Sequence, residues 1–387
     1  MTNQLLFENK DNCWEAALLK DGMLFDYRKT HTGIAAEQIY LAKIDRVVRG
    51  MEAVFVKLTD KENGFLPYSE IKGRCAIPPR SGDKILVQVK KPPVQQKCAY
   101  LTCDITLAGR YVILLPYGHG CSVSRRIEDE KTVLDLVILG RKLKPEDMGI
   151  IMREESANTE TEEIRDEITD LQNRWEHIFV KVHEMTAPCL LDEGQSLVEM
   201  MLRDTKCSVH EIITNTPDEF VGISVPVHYS PNPMTLHNIS SKLEKSLRRK
   251  VWLRSGGNLV IDPCEAMTVF DVNSAKDLGT KKGMEDTTAR LNCEAAEEIA
   301  RIIRLRGIGG IILIDFVDMQ TEENRTKVRS ALEEALRDDP VKTAIHGFTS
   351  LGLLEMTRKK TTAPLSQIQE TPCPHCKGTG KLENKHE

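Results

Sequence analysis

Residues 309–319 read GGIILIDFVDM, and the reading of this stretch decides the fold. Ile311, Ile312, Leu313 and Ile314 run together without alternation, as expected of a strand buried on both faces of a parallel sheet. Asp315 ends that run. A carboxylate at the end of a buried strand is costly unless something pairs with it.

Upstream, MTVFDVNSAK (267–276) repeats the pattern, with Asp271 ending an apolar strand. Asn273, two residues on, shares its face. TTARLNCEAAEEIARIIRLRG (287–307) lies between the two strands and has helical spacing. Strand, helix and strand in this order make the strands parallel and neighbouring, with both carboxyl ends at one sheet edge. Ligands bind at that edge in α/β sheets. Two carboxylates brought together there repel unless a cation or a shared proton intervenes. A hard divalent ion, Mg²⁺ or Mn²⁺, suits an oxygen donor set and keeps waters for a substrate phosphate. Spacing alone leaves this level with helix caps or satisfied core acids. Asp318 has the opposite strand parity from Asp315 and is expected to face elsewhere.

Working outward, TEENRTKVRSALEEALRDDP reads as a helix capped by Thr321, and TAIHGFTSLGLLEMTRKK closes the domain. SSKLEKSLRRKVWL (240–253) also reads as helical. Residues 1–35 hold three short strand-like runs. Residues 36–108 carry five alternating, β-branched segments separated by turn signals, which predicts a small barrel of the OB type. ETEEIRDEITDLQNRWEHIFVKVHEM reads as one long amphipathic helix, with Ile164, Ile168, Leu171, Trp175 and Ile178 inward. Residues 200–240, broken by four prolines, are the least readable.

The chain has 387 residues, enough for several domains. No apolar run reaches the roughly 18 residues of a membrane span, and the N-terminus has no secretory pattern. Eleven cysteines without a framework fit a reducing, cytoplasmic setting. The net charge of −5 argues weakly against nucleic-acid binding, but basic runs at 245–254, 301–307 and 357–362 leave room for a local basic groove.

Cys373 and Cys376 form a C-x₂-C knuckle, half of a tetrahedral zinc site. With no second C-x₂-C in the chain, zinc shared with another subunit fits better than a redox or inert pair. Phe55 and Phe65 on adjacent barrel strands could stack bases, and Lys97 could meet a phosphate. From the residues alone, core packing is the favoured role for both rings. Arg125 and Arg126, paired after a glycine-rich turn, read as a solvated surface pair or a phosphate contact. No dinucleotide, Walker or serine-hydrolase motif is present.

Together SGGNLVIDPCEAMTVFDVNSAK, NCEAAEEIARIIRLRGIGGIILIDFVDM, GLLEMTRKK, CPHCKGTG, IYLAKIDRVVRGMEAVFVKL and SVSRRIE resemble the catalytic half of the ribonuclease E/G family. The resemblance implies an α+β multidomain chain. A ribonuclease-H-like subdomain (1–35 and 183–246) would be interrupted by an OB-fold barrel (36–110) and a 5′-sensor-like subdomain (111–182). A deoxyribonuclease-I-like α/β catalytic subdomain (247–365) and a zinc-knuckle tail (366–387) would follow. Asp271 and Asp315 would hold Mg²⁺, oriented by Asn273, to activate water against a phosphodiester of single-stranded RNA. The products would carry 5′-phosphate and 3′-hydroxyl ends. Phe55, Phe65 and Lys97 match positions that hold RNA. Cys373 and Cys376 match a zinc half-site completed by a second protomer, hence a homodimer or higher oligomer. Processing of ribosomal RNA precursors and messenger RNA turnover are the implied roles. Arg153 matches the family's 5′-monophosphate pocket, but Glu154 stands where threonine is usual and Ser350 where a second arginine is expected. Weak sensing of the 5′ end follows. The short distance from the knuckle to residue 387 favours the shorter, G-type branch. The altered pocket keeps a non-catalytic RNA-binding member as the alternative.

Overall fold

The computed structural model describes residues 2–11, 13–30, 33–71, 79–93, 97–205, 207–221, 223, 225–274, 284–360 and 364–365. The chain divides into two compact units, one of residues 1–29 with 205–387 and the other of residues 30–204.

In the first unit, β1 (Asn3–Lys10), β2 (Cys13–Lys20) and β3 (Met23–Lys29) form an antiparallel meander. Its turn at Asp21-Gly22 has positive φ at both residues, the backbone of a tight hairpin.

The second unit opens with β4 (Ile39–Val48), β5 (Ala53–Lys57), β6 (Asn63–Pro67), β7 (Lys84–Lys91) and β8 (Ala99–Thr102). They pair in the order β4-β5-β6-β8-β7, and β7 returns to β4 to close a five-stranded barrel. Val54, Val56, Leu66, Val87 and Leu101 fill it. Gly64 lets β6 and β8 approach closely, because a Cβ there would overlap the buried Leu101 side chain. The fifth strand is shorter than the expected 99–107. Thr102 Oγ1 accepts from the Asp104 amide and turns the chain, and β9 (Leu107–Ala108) joins a different sheet.

That sheet contains β9, β10 (Val112–Leu115), β11 (Cys121–Val123) and, after α1 (Glu130–Leu143), β12 (Gly149–Met152). The long helix α2 (Thr161–Glu184) packs on it through the five expected residues, Ile164, Ile168, Leu171, Trp175 and Ile178. β13 (Cys189–Asp192) pairs back with β4, and α3 (Leu197–Asp204) ends the unit.

The least readable stretch supplies β14 (Glu211–Thr214) and β15 (Val227–Tyr229), which extend the first sheet to the order β15-β14-β1-β2-β3. The chain's two separated segments therefore build one sheet. α4 (Pro233–Leu236) and α5 (Ile239–Leu247) follow. The helix expected over 240–253 stops at Leu247: Arg248 is extended, and residues 250–252 become a strand, β16 (Lys250–Trp252). A six-stranded sheet of order β16-β17-β18-β19-β21-β20 completes the unit. It contains β17 (Asn258–Pro263), β18 (Met267–Asn273), β19 (Gly310–Asp315), β20 (Thr343–Phe348) and β21 (Leu354–Arg358). α6 (Met284–Arg306) links β18 to β19, and α7 (Glu322–Leu336) links β19 to β20. Leu259, Ile261, Phe270, Val272, Ile312 and Ile314 form the sheet's buried face, against Ala295, Ile299, Val328 and Leu332 of the two helices.

The opposite face is open among the described residues, which corrects the reading of 311–314 as buried on both sides. Ile311 is 47% exposed. Arg358, on the buried face, is held by both Asp339 oxygens at 2.8 and 3.0 Å. The basic run at 301–307 is also internal. Arg301 donates to Leu24 O, Arg304 to Asp26 and Asp338 O, and Arg306 to Ser246 O and Arg248 O. These cations brace the two sheets of this unit and do not line a groove. No described helix is long and apolar enough to cross a membrane.

Candidate active site and RNA-contact residues

β18 and β19 are parallel neighbours, and Asp271 and Asp315 are register partners at their carboxyl ends. Register partners project from the same face, here the open one, and both residues are exposed. This answers the question raised by Asp315: solvent, not an internal cation, meets it. Among the described residues neither carboxylate has an ion-pair partner. Asn273 donates through Nδ2 to Asp271 Oδ2 at 2.8 Å, fixing that carboxylate. Partial loss of solvent, then the charges of Asp271 and Asp318, hold the Asp315 carboxyl above the usual aspartate range.

The charge of Asp318 is thus felt at Asp315, and strand parity does not decide where Asp318 faces. Parity fails because β19 ends at Asp315 and the chain beyond it is no longer a strand. Two residues that the sequence reading missed shape that segment. Asn292 is fully buried on α6 and clamps Val317, accepting from its N–H at 3.1 Å and donating to its C=O at 2.8 Å. Glu285 accepts from the Gln320 and Thr321 amides and the Asn324 side chain; these bonds, that to Asn324 foremost, hold its carboxyl below the ordinary range. A polar asparagine at a core-facing position of the α6 pattern was the available signal for the clamp.

Among the described residues no group of three or more His, Cys, Asp or Glu is arranged to hold a metal. Two carboxylates and an amide still suit Mg²⁺, which takes few protein ligands and fills its shell with water and phosphate oxygens. Cys373 and Cys376 lie outside the described residues.

On the barrel, Phe55 and Phe65 are directly opposed on β5 and β6, with ring centroids 5.6 Å apart. Both are half-buried and absent from the barrel core, so the core-packing reading does not hold. Tyr100 adds a third ring, 6.0 Å from Phe65, and the sequence reading missed it. Arg46 lies over Phe55 and Lys91 over Tyr100, at 5.0 and 5.8 Å. Lys97 is exposed just before β8. A half-exposed aromatic strip edged by cations is suited to stacking unpaired bases.

Arg125 is exposed, whereas Arg126 reaches Glu154 at 3.6 Å, so it is not the freely solvated arginine expected. Glu154 also accepts from Ser124 Oγ at 3.1 Å. Arg153 is half-buried and donates to Gly109 O; partial burial, then the charge of Arg203, lowers its affinity for a proton. Ser350 is exposed in the turn between β20 and β21.

The model of the Ribonuclease E/G family matches residues 106–361. The chain belongs to the ribonuclease E/G family. It is 33% identical to ribonuclease E of Synechocystis sp., over 89% of this chain and 55% of the relative. It is 34% identical to ribonuclease E of Nostoc sp., over 88% and 54%. Ribonuclease G of Escherichia coli K12 is 32% identical, over 99% and 85%. The chain thus spans little more than half the ribonuclease E relatives and most of the ribonuclease G one. The identities are too alike to choose between the branches.

Proposed function

We propose that this protein is an endoribonuclease that cleaves single-stranded RNA with a divalent metal ion, Mg²⁺ or Mn²⁺, leaving 5′-phosphate and 3′-hydroxyl ends. The observation that carries the reading is the register pairing of Asp271 with Asp315 on an open sheet face. Asp271 and Asp315 would hold the ion, which when bound supplies Lewis-acid polarisation of the phosphodiester. Asn273 fixes the Asp271 carboxylate by its hydrogen bond, so one oxygen of that group is committed and its orientation is set. The clamp at Val317 sets the course of the chain beyond Asp315. Phe55, Phe65, Tyr100, Arg46, Lys91 and Lys97 would hold unpaired bases and phosphates on the barrel.

In this reading the first unit comprises a ribonuclease-H-like sheet and a deoxyribonuclease-I-like catalytic subdomain. Cys373 and Cys376 would supply two thiolates to a zinc ion shared with a second protomer, giving a homodimer or larger assembly. Sensing of a 5′-monophosphate is weakened, because Glu154 sets a carboxylate beside Arg153 and draws on Arg126. Ribosomal RNA processing or messenger RNA turnover in the cytoplasm is the setting proposed. A non-catalytic RNA-binding protein remains the second reading, supported by the altered pocket, in which Glu154 and Ser350 stand where threonine and arginine are expected.

The Asp315→Asn variant separates them. Cleavage of an unstructured RNA in Mg²⁺ should fall on the order of 100-fold or more, with RNA affinity kept. Undiminished cleavage by the variant refutes the mechanism, and a parent protein that binds but never cuts supports the second reading.

A further inference from the structure

We propose that Trp252 and Lys250 form a base-stacking platform for single-stranded RNA, on the same sheet face as the carboxylate pair. The choice of ligand rests on the ribonuclease reading above. Strand register carries the placement. Trp252 pairs with Asn258, and Asn258 with Asn273. Lys250 pairs with Val260, Val260 with Asp271, and Asp271 with Asp315. Paired residues share a face, so Trp252 stands two strands from Asn273, about 10 Å across the sheet.

The side chains have the matching chemistry. Trp252 is 66% exposed, whereas Trp175 in the core of the other unit is 6% exposed. The Lys250 ammonium lies 4.4 Å from the Trp252 ring centroid. Among the described residues Lys250 has no carboxylate partner, although Arg248 is paired with Glu244 and Arg249 with Asp262. Lys250 is therefore left for an outside anion, and it is held against an exposed ring. An aromatic surface with an adjoining cation takes a nucleobase and its phosphate. A protein partner would ask for contiguous apolar area. Here the ring's neighbours are a lysine, a buried asparagine and a half-buried valine.

The test uses the full chain carrying Asp315→Asn, so that RNA is not cut, and a fluorescein-labelled oligouridylate followed by anisotropy. Trp252→Ala should weaken binding about five- to tenfold, and Trp252→Phe should restore most of it. Lys250→Gln should reduce the slope of log affinity against log salt by about 0.7. RNA-dependent quenching of tryptophan fluorescence should disappear in Trp252→Phe. Thermal melts near the parent's establish that each variant is folded. Unchanged affinity in folded Trp252→Ala overturns the proposal. So does a change confined to sedimentation, which would assign the face to a second copy of the chain. If the protein without Asp315→Asn cuts no RNA while Trp252-dependent binding persists, the ribonuclease reading falls and the platform stands. If it cuts RNA and Trp252→Ala binds normally, the reverse holds.

Discussion

Asn292 occupies the core face of α6, where an alkyl side chain would pack as well. Its value lies in the two hydrogen bonds to Val317, which satisfy a backbone N–H and C=O just beyond β19. A buried amide left without partners costs about 1–3 kcal/mol, so Asn292 and Val317 answer for each other. Asn292→Leu should therefore destabilise the protein by about 1–3 kcal/mol in urea titrations. It should also lower Mg²⁺-dependent cleavage per folded molecule, because the segment bearing Asp318 would lose its anchor. Cleavage equal to the parent's at a temperature where both are folded would remove Asn292 from the positioning of the site. Asp271 and Asp315 were legible because strand ends and a linking helix determine register. Asp318 was not, because parity has no meaning once a strand has ended.

At the scale of elements, α6 does two jobs. One side fills the core beneath the open sheet, and the other sends Arg301, Arg304 and Arg306 toward the first sheet and α5. Asp26 on β3 is the acid of this brace. Burial pushes its carboxyl up, but Arg28 and Arg304 together outweigh burial and hold it below the ordinary 3.8. A carboxyl depressed in the folded state stabilises the fold above its unfolded pKa. That stabilisation is lost as pH falls through the lower, folded value. Urea midpoints followed downward from pH 5 should therefore drop steeply near and below 3.8. Asp26→Asn should be less stable than the parent at pH 5 and show a shallower acid decline; parallel profiles would exclude Asp26 as a source of the slope. The sequence showed this helix and its basic run, yet composition could not tell a solvated basic face from buried guanidiniums, since both are written with the same letters. The same ambiguity affected Ile311, where a continuous apolar run fits a strand buried on two faces or on one. Phe55 and Phe65 stood at alternating positions, but whether those faced the barrel core or its outside depended on closure by β7 onto β4.

At the scale of the whole molecule, the chain leaves its first sheet after Lys29 and returns to it with β14, beside β1. Residues 30–204 are an insertion between two segments of one sheet. The insertion carries its own cores. One is the barrel interior, and the other packs α2 on the sheet of β9 to β12 while sharing Ile39 and Leu41 of β4 with the barrel wall. A strand whose two faces feed two cores couples them, so the barrel and the α2 layer should melt together. The 175 residues of this segment, counted from 30 to 204, are ample for an independent core. Expressed alone, residues 30–204 should give a single cooperative thermal transition, read identically by circular dichroism and by Trp175 fluorescence. They should also bind single-stranded RNA through the Phe55, Phe65 and Tyr100 strip, without cutting it. Non-coincident melts would show that β4 does not couple the two cores. Cleavage by this fragment would be the more damaging result, since it contains neither Asp271 nor Asp315 and the chemistry would then have to lie elsewhere.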